Sequence, residues 1–218
     1  MPFFRFTSDF VYWHNLDPDV HEKIKSVFLP IIRKKEKEHA ENNPFEIGSA
    51  TTSFFYNPAI SKQENEFLCN EELLESVIWT PLDSMIKKHN SNPEFSNINI
   101  NNSFMESSWY TSYKKDDYFD IHHHDNNVPI IRNGTMFHST FSIIYILNDQ
   151  SNQNTTTFIS YDKLLTRGLP QVIYDTKKNA DIKEGTVLIF PSRLLHCVGR
   201  QIHSNRVTIA FNIFSSYD

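Results

Sequence analysis

From about residue 95 onward the sequence is cut into short runs of β-branched and aromatic residues, separated by Asn, Asp, Ser and Gly. That punctuation marks strands of five to ten residues. Expected strands are Ser103 to Tyr113, Tyr118 to His123, Thr140 to Leu147, Thr156 to Ser160, Val172 to Asp175, Thr186 to Pro191, His196 to Gln201 and Arg206 to Phe214. No amphipathic helix intervenes between them, so a βαβ sheet is excluded and an antiparallel sandwich or jelly roll is expected.

The first 95 residues read differently. Asp17 is placed to cap a helix that Pro18 opens, with apolar residues at Val20, Ile24, Val27, Phe28 and Ile31, and Pro30 is expected to bend it. Asn70 caps a second helix carrying Leu73, Leu74, Val77 and Ile78, disturbed at Pro81 and resumed from Met85 to His89. Phe3 to Trp13 reads as core or edge strand. The two helices are expected to brace one sheet from outside. Pro93 is the nearest thing to a boundary, and 218 residues suit one domain, with residues 1–95 as a support region and 96–218 as the jelly-roll core.

Composition narrows the function. Only 5 glycines are present, which leaves no Gly-rich phosphate loop, whereas 18 phenylalanines supply core volume in few, large side chains. The net charge is −5, and the basic cluster Arg33 to Lys37 is interleaved with Glu36 and Glu38, so an electrostatic nucleic-acid groove is not expected. Cys69 and Cys197 lie far apart and form no CxxC pair, which fits a reducing compartment and a cytoplasmic address. Arg5 interrupts the apolar N-terminus, so neither a signal-peptide core nor a membrane span is expected.

The chemistry is concentrated in Ile121-His122-His123-His124-Asp125. Residues two apart on a strand share a side, so His123 and Asp125 can reach one ion. His196, after the buried run Gly185 to Ser192, is the natural distant partner; together they would make a two-histidine, one-carboxylate set with three coordination positions open. Ten residues later Arg206 opens a strand whose alternation places Arg206, Thr208, Ala210 and Asn212 on one face and Val207, Ile209, Phe211 and Ile213 on the other. A guanidinium fork and a threonine hydroxyl on the polar face suit a carboxylate. Each residue alone has a blander reading: a solvated His-rich loop, a core histidine, a surface arginine. Their order along the chain shifts the balance.

Trp109 to Asn212 resembles the 2-oxoglutarate/Fe(II) oxygenase superfamily, nearest to its prolyl-hydroxylase-like and phage or marine-bacterial branches. The resemblance rests on Tyr118-Phe-Asp-Ile-His-His-His-Asp, Phe141-Ser-Ile-Ile-Tyr-Ile-Leu-Asn, Thr186-Val-Leu-Ile-Phe-Pro-Ser, His196-Cys-Val and Arg206-Val-Thr-Ile-Ala-Phe-Asn. It implies a mainly β double-stranded β-helix (jelly roll, cupin-like) with flanking helices. It also implies Fe(II) and dioxygen at the histidines, with 2-oxoglutarate held by Arg206, Thr208, Tyr113 and Asn212. The implied reaction is hydroxylation of a protein side chain or a small metabolite.

One branch of relatives would place an H-x-H pair on His122 and His124. His123 and Asp125 are preferred here because a carboxylate partly neutralises Fe(II), and because that parity turns Phe119 and Ile121 toward the core. Departures from the pattern are Asp116 and Asp117 in place of glycine before the first ligand, Asn154-Thr-Thr-Thr-Phe in place of a Gly-Gly-x-Thr segment, and an insertion, Val128 to His138, expected as a lid or substrate loop. Two alternatives stay open: a cupin-like metal dioxygenase or isomerase without 2-oxoglutarate, and a non-catalytic jelly-roll binding module.

Overall fold

A computed structural model of the chain describes residues 3–6, 9–40, 49–54, 62–92, 98, 100, 102–125, 128–149, 156–160 and 171–216. Pro93, expected as a boundary, and Asn154, in the departing segment, lie outside the described residues. The strands are β1 (Phe3–Phe6), β2 (Asp9–Asn15), β3 (Thr51–Thr52), β4 (Ser103–Tyr113), β5 (Phe119–His122), β6 (Ile130–Arg132), β7 (Thr135–Asn148), β8 (Thr156–Ser160), β9 (Gln171–Asp175), β10 (Thr186–Pro191), β11 (Leu195–Val198) and β12 (Arg206–Ser215). Paired antiparallel throughout, they form a large sheet in the order β1-β2-β10-β7-β12-β4-β3, with β6 added to β7, and a small sheet in the order β5-β11-β8-β9. Trp109, Ile144, Leu188, Phe190 and Ala210 from the large sheet meet Phe158 of the small one in a shared core. This is the double-stranded β-helix.

The other face of the large sheet is covered by helices. Tyr145, Val187, Ile209, Phe211 and Ile213 pack there against Ile24, Phe28 and Ile32 of α1 (Pro18–Ala40). They also meet Leu73, Val77, Leu82 and Met85 of a second helix, α2, which runs continuously through Glu71–Leu74, Glu75–Trp79 and Thr80–Asn90. The buried stripe of α1 is narrower than its apolar one: at 100° per residue Ile24, Phe28 and Ile32 fall within one turn's face, leaving Val20, Val27 and Ile31 exposed beside it. Helix α1 continues through Pro30. In α2, Asn70 caps as expected, its side chain accepting from Leu73 N at 3.1 Å. Pro81 has no N–H to give a preceding carbonyl, and the helix widens just before it into a π turn in which Thr80 N donates to Glu75 O.

The insertion is an ordered hairpin. Asn133 (φ 50°) and Gly134 (φ 79°) make the two-residue turn between β6 and β7, both in the left-handed region that Asn and Gly tolerate. Arg132 lies 3.4 Å over the Phe104 ring, and Phe104 meets Phe137 edge-on, tying the hairpin to β4. Both cysteines are free, and among the described residues no helix is long and apolar enough to cross a membrane.

Candidate metal centre

The small sheet delivers two imidazoles side by side, their planes tilted by 53°. Antiparallel pairing of β5 with β11 sets His122 directly opposite His196, and the register slips by one residue before Val198 meets Phe119. This β-bulge puts three residues of β5 against two of β11, so Phe119 and His122, an odd number apart, both turn inward. Their rings lie 4.6 Å apart. Beyond the end of β5, His124 N donates to Ser192 O at 2.9 Å, which keeps the chain alongside β10 and returns a second side chain to the interior. The ring centroids of His122, His124 and His196 are 4.2 to 5.2 Å apart, and one nitrogen from each falls within 4.8 Å of the other two.

The hydrogen bonds around these rings fix their tautomers. Carbonyls can only accept, so His122 Nδ1–H donates to Asp120 O (2.7 Å) and His196 Nδ1–H to Leu194 O (3.0 Å). Each Nε2 then carries a lone pair, the arrangement a metal ligand needs. His196 Nε2 and His124 Nδ1 are enclosed without a hydrogen-bond partner among the described residues. Burial holds His122 down at about 4, and holds His124 and His196 well below the usual imidazole value, with the neighbouring imidazoles adding to the effect. All three are therefore neutral near pH 7.

The second half of the pocket lies on the large sheet. Arg206 and Thr208 of β12, Tyr113 and Thr111 of β4 and Thr156 of β8 line the same cavity as the three histidines, with Trp109 and Phe119 as its apolar walls. Arg206 is 1% exposed, donates from NH2 to Thr156 Oγ1 (3.2 Å) and stacks 5.0 Å from the Tyr113 ring, while its Nε and NH1 have no hydrogen-bond partner among the described residues. Burial raises the Tyr113 hydroxyl, partly opposed by Arg206 and by a hydrogen bond with Thr208.

Of the residues expected from the sequence, His196, Arg206, Thr208 and Tyr113 converge here. Asn212 shares their face of β12 but lies outside the cavity, bonded to Ser107 Oγ (3.2 Å) and Ser142 Oγ (3.4 Å). The preferred pair His123 and Asp125 is not brought together with His196: His123 is exposed, and neither residue lines the cavity. The parity argument assumed an unbroken strand from Phe119, and the bulge reverses it, so that Ile121 is exposed and His122 and His124 face inward. Thr156 and Trp109 were missed as pocket residues. Its place two residues before the buried Phe158 on the same strand face was the available signal for Thr156; Trp109, which meets His124 edge-on at 4.9 Å, had none.

Residues 107–212, just under half of the chain, match the family described as "Putative 2OG-Fe(II) oxygenase". Over these residues the chain is similar to the 2-oxoglutarate/Fe(II) oxygenase superfamily. The chemistry of this superfamily uses Fe(II), 2-oxoglutarate and dioxygen. Among solved structures, AviO1 from Streptomyces viridochromogenes Tue57 has a similar fold at a TM-score of 0.53 and 14% identity, over 97% of this chain and 91% of that one. Two more distant likenesses are a prolyl hydroxylase from Trichoplax adhaerens, in complex with a hypoxia inducible factor peptide fragment (TM-score 0.49, 14% identity, 93% and 82% covered), and a Pseudomonas putida prolyl-4-hydroxylase (0.47, 10%, 95% and 92%). No curated protein matches the chain in sequence.

Proposed function

We propose that His122, His124 and His196 hold Fe(II), that Arg206 with Thr208 and Tyr113 reads the distal carboxylate of 2-oxoglutarate, and that the chain hydroxylates a protein side chain or a small metabolite. The observation that carries this reading is the convergence of buried polar groups on one cavity: ring nitrogens without a hydrogen-bond partner among the described residues on one side, and the Arg206 guanidinium on the other. A buried nitrogen without a partner costs roughly 1–3 kcal/mol, so a donor set of this kind makes physical sense only with something to bind.

The residues fit the group. Imidazole nitrogen is an accepted ligand of iron, His122, His124 and His196 would hold it from β5, the segment after β5 and β11, and the tautomers of His122 and His196 are already set by backbone carbonyls. When bound, Fe(II) with 2-oxoglutarate and dioxygen supplies the oxidation that hydroxylates a C–H bond, releasing succinate and carbon dioxide. The chain orients and encloses. Arg206 offers a fixed cation to one end of a dicarboxylate, Trp109 and Phe119 exclude water, and the imidazoles stay neutral and available. The net charge of −5 and the interleaving of Glu36 and Glu38 with the basic cluster Arg33 to Lys37 favour a peptide or metabolite over a nucleic acid as substrate.

The test is succinate production by the Fe(II)-loaded chain given 2-oxoglutarate and dioxygen, beside the Arg206→Ala and His196→Ala variants. Turnover lost in both variants supports the reading. Full turnover in His196→Ala eliminates it.

A further inference from the structure

Behind Arg206, on the side away from the cavity, stands a buried carboxylate that the chemistry above does not use. Asp149, the residue after β7, is 1% exposed, and its Oδ2 lies 3.9 Å from Arg206 Nε. It does not line the cavity. The position is built rather than incidental. Asp149 N donates to Glu184 Oε2 at 2.5 Å, and Glu184 is gripped in turn by two side chains of α1, Lys25 Nζ and His21 Nε2 (3.4 Å), while His21 Nδ1 meets Tyr145 OH at 2.6 Å. Burial would raise the Glu184 carboxyl, yet the hydrogen bonds from His21, Lys25 and the Asp149 backbone, with the Lys25 charge, hold it at about 2. The helix that braces the sheet thus fixes the backbone of the residue behind the cosubstrate arginine.

We propose that Asp149 is the resident counter-charge of Arg206: a positioning residue that holds the guanidinium and lowers its affinity for the distal carboxylate of the cosubstrate. The inference rests on the reading of Arg206 given above. Three neutral imidazoles leave the metal ligands without the negative charge that a carboxylate ligand would contribute. Fe(II), a doubly charged 2-oxoglutarate, Arg206 and Asp149 together sum to zero, so Asp149 supplies behind the arginine the charge missing at the metal. Thr156 sits on NH2 and Asp149 beside Nε, so an incoming carboxylate shares one cation with a second anion. Two like charges across a guanidinium repel, and in a buried site that repulsion is poorly screened.

The experiment is anaerobic calorimetry on the Ni(II)-loaded chain with 2-oxoglutarate and with pyruvate, which lacks the distal carboxylate, accompanied by thermal melts without either. In Asp149→Asn, 2-oxoglutarate is expected to bind tighter, on the order of tenfold for one like charge removed. Pyruvate is expected to change by less than about twofold, and the melting temperature without cosubstrate to fall, because Arg206 is left buried without its counter-ion. Weaker or unchanged 2-oxoglutarate binding, or an equal gain for pyruvate, overturns the proposal. Should Asp149→Asn fail to fold, the double variant Asp149→Asn/Arg206→Met decides: it must melt above Arg206→Met alone, which takes the guanidinium charge from beside Asp149, and a lower melting temperature refutes the pairing. Failure of the functional reading looks different, since the wild-type chain would then bind no 2-oxoglutarate, and the inference would fall with it.

Discussion

Strands β12 and β5 both carry pocket residues, and they are held in opposite ways. All ten residues of β12 are buried, with β4 on one edge and β7 on the other, so its alternation is enforced twice over. Arg206 and Thr208 cannot turn away from the cavity without turning Val207 and Ile209 out of the helix-packed core. Strand β5 is four residues long, ends the small sheet, has one strand partner and contains a bulge. The carboxylate side of the pocket is therefore set by the core, and the metal side by a local irregularity backed by a few hydrogen bonds.

The largest effect should come from β12. Phe211 is fully buried between the large sheet and the helices, and Phe211→Ala is expected to cost about 3–5 kcal/mol of stability, read as the shift of the urea midpoint. A loss below about 1 kcal/mol would mean the helical face of the sheet is loosely packed, and that the contrast with β5 is overdrawn.

Next is the metal side. His196→Ala or His124→Ala removes one of three ligands while leaving the core of β12 intact, so metal affinity should fall at least roughly 100-fold, beyond what loss of an outer partner costs, with little change in the metal-free melting temperature. Titration with Ni(II) or Fe(II) followed by calorimetry measures it. An affinity within about threefold of wild type in both variants would remove these residues from the coordination sphere.

The same contrast explains what could be read from residues alone. On β12, the eight residues Arg206 to Ile213 alternate between polar or small and apolar, and both faces follow directly; the strand limits of β4, β8 and β10 were equally legible because the apolar runs end at turn residues. On β5 the sequence Phe119-Asp-Ile-His-His-His-Asp carries no marker of a bulge, and three successive histidines erase the pattern that would show which are inward. The i, i+2 rule held while its phase did not. Asn212 misled in a similar way: it has the right face but sits too far along the strand, a distinction of depth that alternation does not encode. The hairpin turn at Asn133-Gly134 was readable in principle, though its tether through Arg132 and Phe104 depends on a partner about thirty residues away in sequence.

Acid should weaken the metal-free chain, through the small-sheet side first. Burial keeps His122, at about 4, together with His124 and His196, below the ordinary imidazole value near 6.5. In the unfolded chain these groups take up protons as the pH drops through 6.5, while the folded chain resists until about 4, so the unfolded state gains across that window. Stability from these residues is present above about 6.5 and declines as the pH falls toward 4. Glu184 adds a second loss of the same sign from about 4.5 down toward 2. Melts in the presence of a chelator should show the decline between pH 7 and 4, and His196→Ala should flatten it. A melting temperature constant over that range would contradict neutral, enclosed imidazoles.

The smallest effects are expected at His123 and Asp125, where they discriminate most. His123 is exposed, Asp125 half-buried, and both lie outside the cavity that His122, His124 and His196 share. His123→Ala and Asp125→Asn should each leave metal affinity within about twofold and stability within about 0.5 kcal/mol. A carboxylate that did reach the ion would show itself differently, since removing its charge would weaken a divalent cation by at least an order of magnitude while the imidazole variants lost less. A large loss in Asp125→Asn with a small one in His124→Ala would mean that β5 binds metal with its bulge straightened, in the other of its two possible phases. An edge strand with a single partner could make that change at far lower cost than β12, which is why these two quiet positions test the geometry of the centre more sharply than another ligand deletion.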